Sequence, residues 1–275
     1  AEPNGTFEVA LPPKEEKTTT NPYFKPKLIQ LDLKNLPADA TNTLVAMFDK
    51  RYNADMSKNM NQIFYRRSVE TAETMIAELK AAFPETKNEY FEQHKFYRYG
   101  YAKYMAMINN ATPVMEEYMV GKPILYHHPE YSLLFDKLFS KHLQYATQAA
   151  NGQKIAMLIN SGASEQLMEW LTEDIHGDPN LAEAVMLMGM KPIFYSKKFN
   201  VNGLFSILQS ISERSKVPTH KETADKISAE LARTMYGTKA PELSLLDIDG
   251  NMVELSNFEG RYIYLCFTRT DNSTF

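Results

Sequence analysis

Apolar positions three and four residues apart dominate the chain between Ala40 and Tyr236, and that period predicts helices. The clearest stripe is Val69, Ala72, Ile76, Leu79 and Phe83, which gives one helix a single apolar face and ends at Pro84. Asn88 to Ile108 reads as the next helix and carries Tyr90, Phe91, His94, Tyr97, Tyr101 and Tyr104. His128-Pro129 opens another, with proline in the first turn where its missing N–H costs nothing, and Leu133, Leu134, Leu138 and Leu143 extend it. Further helices are predicted over Gln153–Ile159, Ser164–Thr172, Leu181–Tyr195 and Asn202–Ser212. In the turn NSGAS (160–164), Ser161 or Ser164 is expected to be the N-cap; in HGDPN (176–180), Asp178 or Asn180 is. Thr219-His220-Lys221-Glu222 has the capping-box pattern before Ala224, Ile227, Leu231 and Met235, and Gly237 is placed to close that helix.

The period changes at both ends. Gly5–Leu11 (GTFEVAL) alternates apolar and polar residues and stops at Pro12-Pro13, which predicts a strand. Its partner is expected near Lys27–Leu33, in another chain, or upstream, and Lys14–Asn21 reads as a polar linker. From Thr238 the pattern switches again. Leu243–Leu246 and Met252–Leu255 flank Asp247-Ile248-Asp249-Gly250-Asn251, a hairpin in which Asp-Gly supplies the positive-φ turn. Tyr262–Phe267 (YIYLCF) is a near-continuous apolar run, as in a strand buried on both faces, and Cys266 inside it is expected to be buried and inert. A buried central strand needs a covering helix, so the chain is expected to stop partway through this unit. The fold class expected is mainly α, with an incomplete α/β segment. The expected divisions are 1–37 (strand and linker), 38–237 (all-helical) and 238–275 (the opening of an α/β domain).

Composition narrows the partners. The 275 residues are 44% hydrophobic and 23% charged, with a net charge of −4 and no cluster of lysines and arginines. A nucleic-acid partner has no electrostatic footprint in such a chain. No window reaches the ~18 apolar residues of a membrane helix, so no membrane span is expected. The N-terminal AEPNGTFEVALPP has neither the charged nor the apolar region of a signal peptide. One cysteine allows no intrachain disulfide. Sixteen tyrosines, 15 phenylalanines and 15 methionines read first as core packing.

Candidate chemistry is thin. His127-His128 beside Glu130 lacks metal-ligand spacing, and adjacent histidines point in different directions; capping and packing are expected. His176 with Asp174 and Asp178 reads as a turn. Asp247, Asp249 and Asn251 mimic a calcium loop, but the ligand position that needs glutamate holds Phe258. No phosphate-binding glycine loop occurs, and no cofactor or metal is expected. Tyr90, Tyr97, Tyr101 and Tyr104 are expected to pack in the core or between domains, with a ligand groove as the alternative.

Ala240-Pro241, Asp249-Gly250, Leu255-Ser256, Phe258-x-Gly260 and the apolar run to Phe267 recur in the order found in thioredoxin-like families with thiol–disulfide or peroxidase chemistry. This segment resembles the opening of such a domain. PYF (22–24), FDKRYN (48–53), YFEQHKFYRYGY (90–101), PILYHHPEY (123–131) and the helices expected over 181–236 resemble the helical insert that lies between a small β-domain and the thioredoxin-like domain in envelope proteins of Bacteroidetes, which implies that 1–37 is the residual strand and linker of an upstream β-domain. The resemblance implies a periplasmic or cell-envelope location, with another envelope protein or a peptide as partner. It also places the two CxxC cysteines at Asn272 and Phe275, neither of which can form a thiolate. The implied role is therefore binding or accessory. The alternative is a thiol–disulfide oxidoreductase or peroxidase whose reactive cysteine follows Phe275.

Overall fold

A computed structural model describes residues 8–10, 32–34, 36–239, 242–247 and 249–266. The chain is mainly α. After the paired strands β1 (Glu8–Ala10) and β2 (Asp32–Lys34), helices follow one another from Thr41 to Ala232, and a β-hairpin and a 3-10 turn (Leu255–Phe258) come last. β1 and β2 are antiparallel, with Val9 opposite Leu33, so the partner lies at the end of the segment expected to supply it.

Helix α1 (Thr41–Met60) buries Phe48, Tyr52 and Met56, one residue per turn on one face, and runs into a π-helical turn at Asn61–Tyr65. α2 (Val69–Ala82) buries Ala72, Ile76 and Leu79 of the predicted stripe, with Met75 beside them, and stops before Pro84. Its N-cap is Ser68, whose hydroxyl accepts from the Thr71 N–H at 3.2 Å. α3 (Glu89–Ala106) is capped by Asn88, which accepts from the Phe91 N–H at 3.0 Å and donates to the Thr41 hydroxyl at 2.7 Å. One side chain therefore starts α3 and ties it to the start of α1. The short α4 (Thr112–Tyr118) leads to an irregular stretch before α5 (Pro129–Phe139), which opens at His128-Pro129 as expected. α5 ends at Phe139, and Leu143 belongs to a separate short helix, α6 (His142–Ala146).

α7 (Gly152–Ser161) and α8 (Ser164–Asp174) are joined by Gly162 at φ 70°, so a left-handed glycine makes this turn. Neither expected serine caps α8: its cap residue is Ala163, and the Ser161 hydroxyl donates back to the Leu158 carbonyl. α9 (Pro179–Tyr195) is capped by Asp178, whose carboxylate accepts from the Leu181 N–H at 3.0 Å. α10 (Val201–Arg214) and α11 (Pro218–Ala232) complete the set. Thr219 does not cap α11. Pro218 occupies the first helical position and moves the start two residues earlier than the capping box requires. Gly237 does not close α11 either, although its φ is 85°. The Thr234 and Thr238 hydroxyls already satisfy the last-turn carbonyls of Leu231 and Ala232. One buried apolar cluster runs from Phe48 on α1 to Leu231 on α11.

The predicted hairpin is β3 (Ser244–Leu246) paired with β4 (Met252–Glu254). The Asp247 carboxylate accepts from the Asp249 and Asn251 N–H groups at 2.9 and 2.8 Å. Those backbone bonds, led by the one from Asn251, hold its pKa below the ordinary value. The calcium-like spacing is thus a turn closed by its own first aspartate.

The buried strand expected over Tyr262–Phe267 is not found. Residues 262–266 have no regular structure and are exposed, and Phe267 lies outside the described residues. Cys266 is exposed, contrary to expectation. An apolar run becomes a buried strand only where neighbours take its backbone bonds and cover its faces, and no strand among the described residues pairs with it.

Candidate binding site

The tyrosine-rich helix α3 separates two environments. On one side, Arg98 braces α1, α3 and α5. Its Nε lies 3.2 Å from Asp49, its Nη2 donates to the Asn53 side chain at 2.8 Å, and Glu130 stands 3.6 Å away. The guanidinium also stacks 4.1 Å from the centre of the Tyr52 ring. His94 meets the same Asp49 oxygen at 2.9 Å. The guanidinium contacts groups on α1 and α5 from its place on α3, so the cluster acts as a cross-brace.

On the other side lies a cleft of about 680 Å³ between the end of α2, α3, α4 and the strap at 122–125. Its aromatic lining comes from Phe83, Phe96, Tyr97, Tyr99 and Tyr118. The cleft's shape depends on Lys95, which is 4% exposed. The Lys95 ammonium donates to the Phe83 and Pro84 carbonyls, each at 3.1 Å, and so caps the C-terminal end of α2. It also pairs with Glu92 at 3.0 Å, while the Thr86 N–H and hydroxyl donate to the same Glu92 oxygen. Burial pushes the Glu92 carboxyl up, but the bonds from Lys95 and Thr86 outweigh it and hold the pKa below the ordinary value.

The remaining charges are less constrained. Glu117 is paired with Lys103 at 2.8 Å, whereas Glu85, also on the lining, has no ion-pair partner among the described residues. Lys80 and Lys122 have no carboxylate within ion-pair distance among the described residues. Each instead lies 5.6 Å from a ring centre, Lys80 over Tyr99 and Lys122 over Phe96. The Tyr99 hydroxyl is buried without a hydrogen-bond partner. Burial pushes the Tyr97 and Tyr99 phenols up to about 12 and raises Tyr118 as well. These phenols stay protonated near neutral pH. They can donate hydrogen bonds but offer no phenolate nucleophile.

The expected tyrosine stripe divides. Tyr97 is buried, its ring 5.1 Å from Tyr131, and it also lines the cleft. Tyr90 is exposed beside His128, and Tyr101 and Tyr104 are half-buried. Tyr99, Tyr118, Lys80 and Lys122 were not legible as site residues. Tyr99 falls off the spacing that groups the other tyrosines, and Tyr118 lies on a helix of seven residues.

The other candidates disperse. His128 is buried as the cap of α5, and burial, with His94 nearby, lowers its pKa; His127 is exposed. His176 pairs with Glu116, Asp174 with His142, and Asp178 accepts from the Gly121 N–H as well as capping α9. Among the described residues no group of three or more His, Cys, Asp or Glu side chains is placed to hold a metal ion. No described helix is long and apolar enough to cross a membrane. Asn272 and Phe275, the positions matched to the CxxC, lie outside the described residues. No protein-family model, curated protein or solved structure matches the chain.

Proposed function

We propose that this protein works by binding, in an accessory role at the cell envelope, and that the cleft beside α3 takes an acidic peptide segment of a partner protein. The observation that carries this reading is the pairing of an aromatic cleft with two lysines, Lys80 and Lys122, that lack carboxylate partners among the described residues. Apolar side chains of a peptide would fill the cleft, and its carboxylates would meet the lysines over their rings.

A fluorescent acetylated peptide alternating Asp and Leu, followed by anisotropy, is expected to bind the 275-residue chain. Lys80→Ala and Lys122→Ala should each weaken it about tenfold, or ~1.4 kcal/mol, with the loss shrinking as salt is added. A peptide with Lys in place of Asp should not bind. Unchanged affinity in the double variant would remove the cleft from consideration.

The thioredoxin-like resemblance enters the same reading as a module without dithiol exchange. The Asp-Gly hairpin at β3–β4 also favours a second reading, an oxidoreductase or peroxidase whose cysteine follows Phe275. For the chain itself the expected result is no insulin reduction above the dithiothreitol blank. One thiol, the exposed Cys266, should react at once with Ellman's reagent in the native state. Turnover in the insulin assay would overturn the binding-only reading.

A further inference from the structure

The strap from Lys122 to Tyr126 has two sides. Lys122, Pro123 and Leu125 line the cleft, whereas Ile124 and Tyr126 line a separate cavity of about 420 Å³ among α5, α9 and α11. The last three positions alternate as in extended chain, so one segment walls both spaces. The walls of the second cavity are apolar, with Phe135, Leu187, Met188 and Ile227 prominent. That size suits a small molecule.

Besides Tyr131, Lys191, Ser132 and Thr223, whose hydroxyl donates to the Thr219 carbonyl at 2.7 Å, its polar lining is Tyr126 and His220, which a chain of hydrogen bonds joins to Glu183 outside the lining. Glu183 Oε1 lies 2.6 Å from His220 Nδ1, and His220 Nε2 lies 2.7 Å from the Tyr126 hydroxyl. The Ser215 hydroxyl also donates to Glu183. His220 is 1% exposed. The carboxylate can only accept, so the proton of a neutral imidazole is assigned to Nδ1, and Nε2 accepts the proton of Tyr126. This commits the Tyr126 proton inward and leaves its oxygen able to accept. Tyr131 also lines the cavity, but its hydroxyl is shut away from anything the size of water and has no hydrogen-bond partner among the described residues.

We propose that this cavity binds a small, uncharged, apolar alcohol or phenol, whose one hydroxyl donates to the Tyr126 oxygen. A ketone has no proton to give that oxygen. A carboxylate finds no free cation, because the one lysine on the cavity, Lys191, is already paired with Glu230 at 2.5 Å. The role of Glu183 and His220 is positional: they fix which way the Tyr126 proton points.

The test uses 4-butylphenol and its hydroxyl-free twin butylbenzene, titrated calorimetrically into the 275-residue chain. The phenol is expected to bind at least tenfold more tightly than the twin. Tyr126→Phe should bring the two to equal affinity without changing butylbenzene. Met188→Trp, which fills the cavity, should abolish binding of both. As a readout independent of that variant's folding, phenol should shift the Ile227 and Met188 methyl resonances of the unmodified chain and leave the Leu125 methyls unmoved. Equal binding of phenol and twin, no binding of either, or methyl shifts confined to Leu125 would overturn the proposal.

Discussion

Phe48→Ala is expected to cost about 4 kcal/mol of unfolding free energy, the largest loss we expect from a single side chain. Phe48 is fully buried on α1, and its ring is met by rings from α3, from its own helix and from the end of α2. The centroids of Phe83, Tyr99 and His94 lie at 5.3, 5.8 and 5.8 Å in edge-on geometry, with Tyr52 and Phe91 at 5.9 and 6.0 Å. Edge-to-face pairs add about 0.5–1.5 kcal/mol each beyond burial. The hole cannot close easily, because its walls are pinned from behind. His94 is held by Asp49, and the end of α2 that carries Phe83 is held by Lys95. Urea unfolding should show a lower midpoint with an unchanged slope. Phe48→Leu, which keeps most of the volume, should lose less than half as much. A loss below about 1.5 kcal/mol for alanine would mean that the surrounding rings collapse freely. Because Phe83 and Tyr99 also line the cleft, the folded alanine variant should bind the acidic peptide more weakly as well.

The way that core is assembled explains what could be read from the chain. The α2 stripe was legible because Ala72, Ile76 and Leu79 sit on one face of one helix, where spacing alone encodes burial. The Asp178 cap and the β3–β4 hairpin were legible for the same reason: each depends on residues within a few positions of one another. Thr219 and Gly237 were misassigned where a stronger neighbour, Pro218 or a threonine hydroxyl, did the work first. The run at 262–266 shows the opposite failure. Its apolar pattern is strand-like, but burial is a property of the neighbours, and the described residues supply none. The sites lay beyond reach of pattern altogether. Tyr126 and His220 are 94 positions apart, and Glu183 and His220 are 37 apart. No spacing rule links such pairs. Only the packing of α9 and α11 beside the strap brings them together.

Packing of that kind also fixes the second large effect, at the crossing of α7 and α10. Gly203→Ala is expected to destabilise the protein by about 2 kcal/mol, although alanine is the better helix former by about 1 kcal/mol. A Cβ on Gly203 would lie 2.3 Å from the Ile159 carbonyl oxygen and 2.6 Å from that of Asn160. Both are backbone atoms of the last turn of α7, and neither can turn aside as a side chain can. Asn160 is further tied down, its side-chain oxygen accepting from the Asn200 N–H at 2.8 Å just before α10 begins. The helices must therefore move apart, and Leu204, Ile207 and Ile159, all buried at this crossing or beside it, lose packing. The expected readout is a fall of about 6 °C in Tm. Gly121→Ala is the control. Its φ of 67° strains alanine, yet nothing lies within 4 Å of the added carbon, so only the smaller backbone cost of about 1 kcal/mol should appear. Gly203 borders neither the cleft nor the apolar cavity, so the folded Gly203→Ala protein should keep its affinity for the acidic peptide and for 4-butylphenol. A variant more stable than the parent would show that α7 and α10 cross farther apart than this geometry requires.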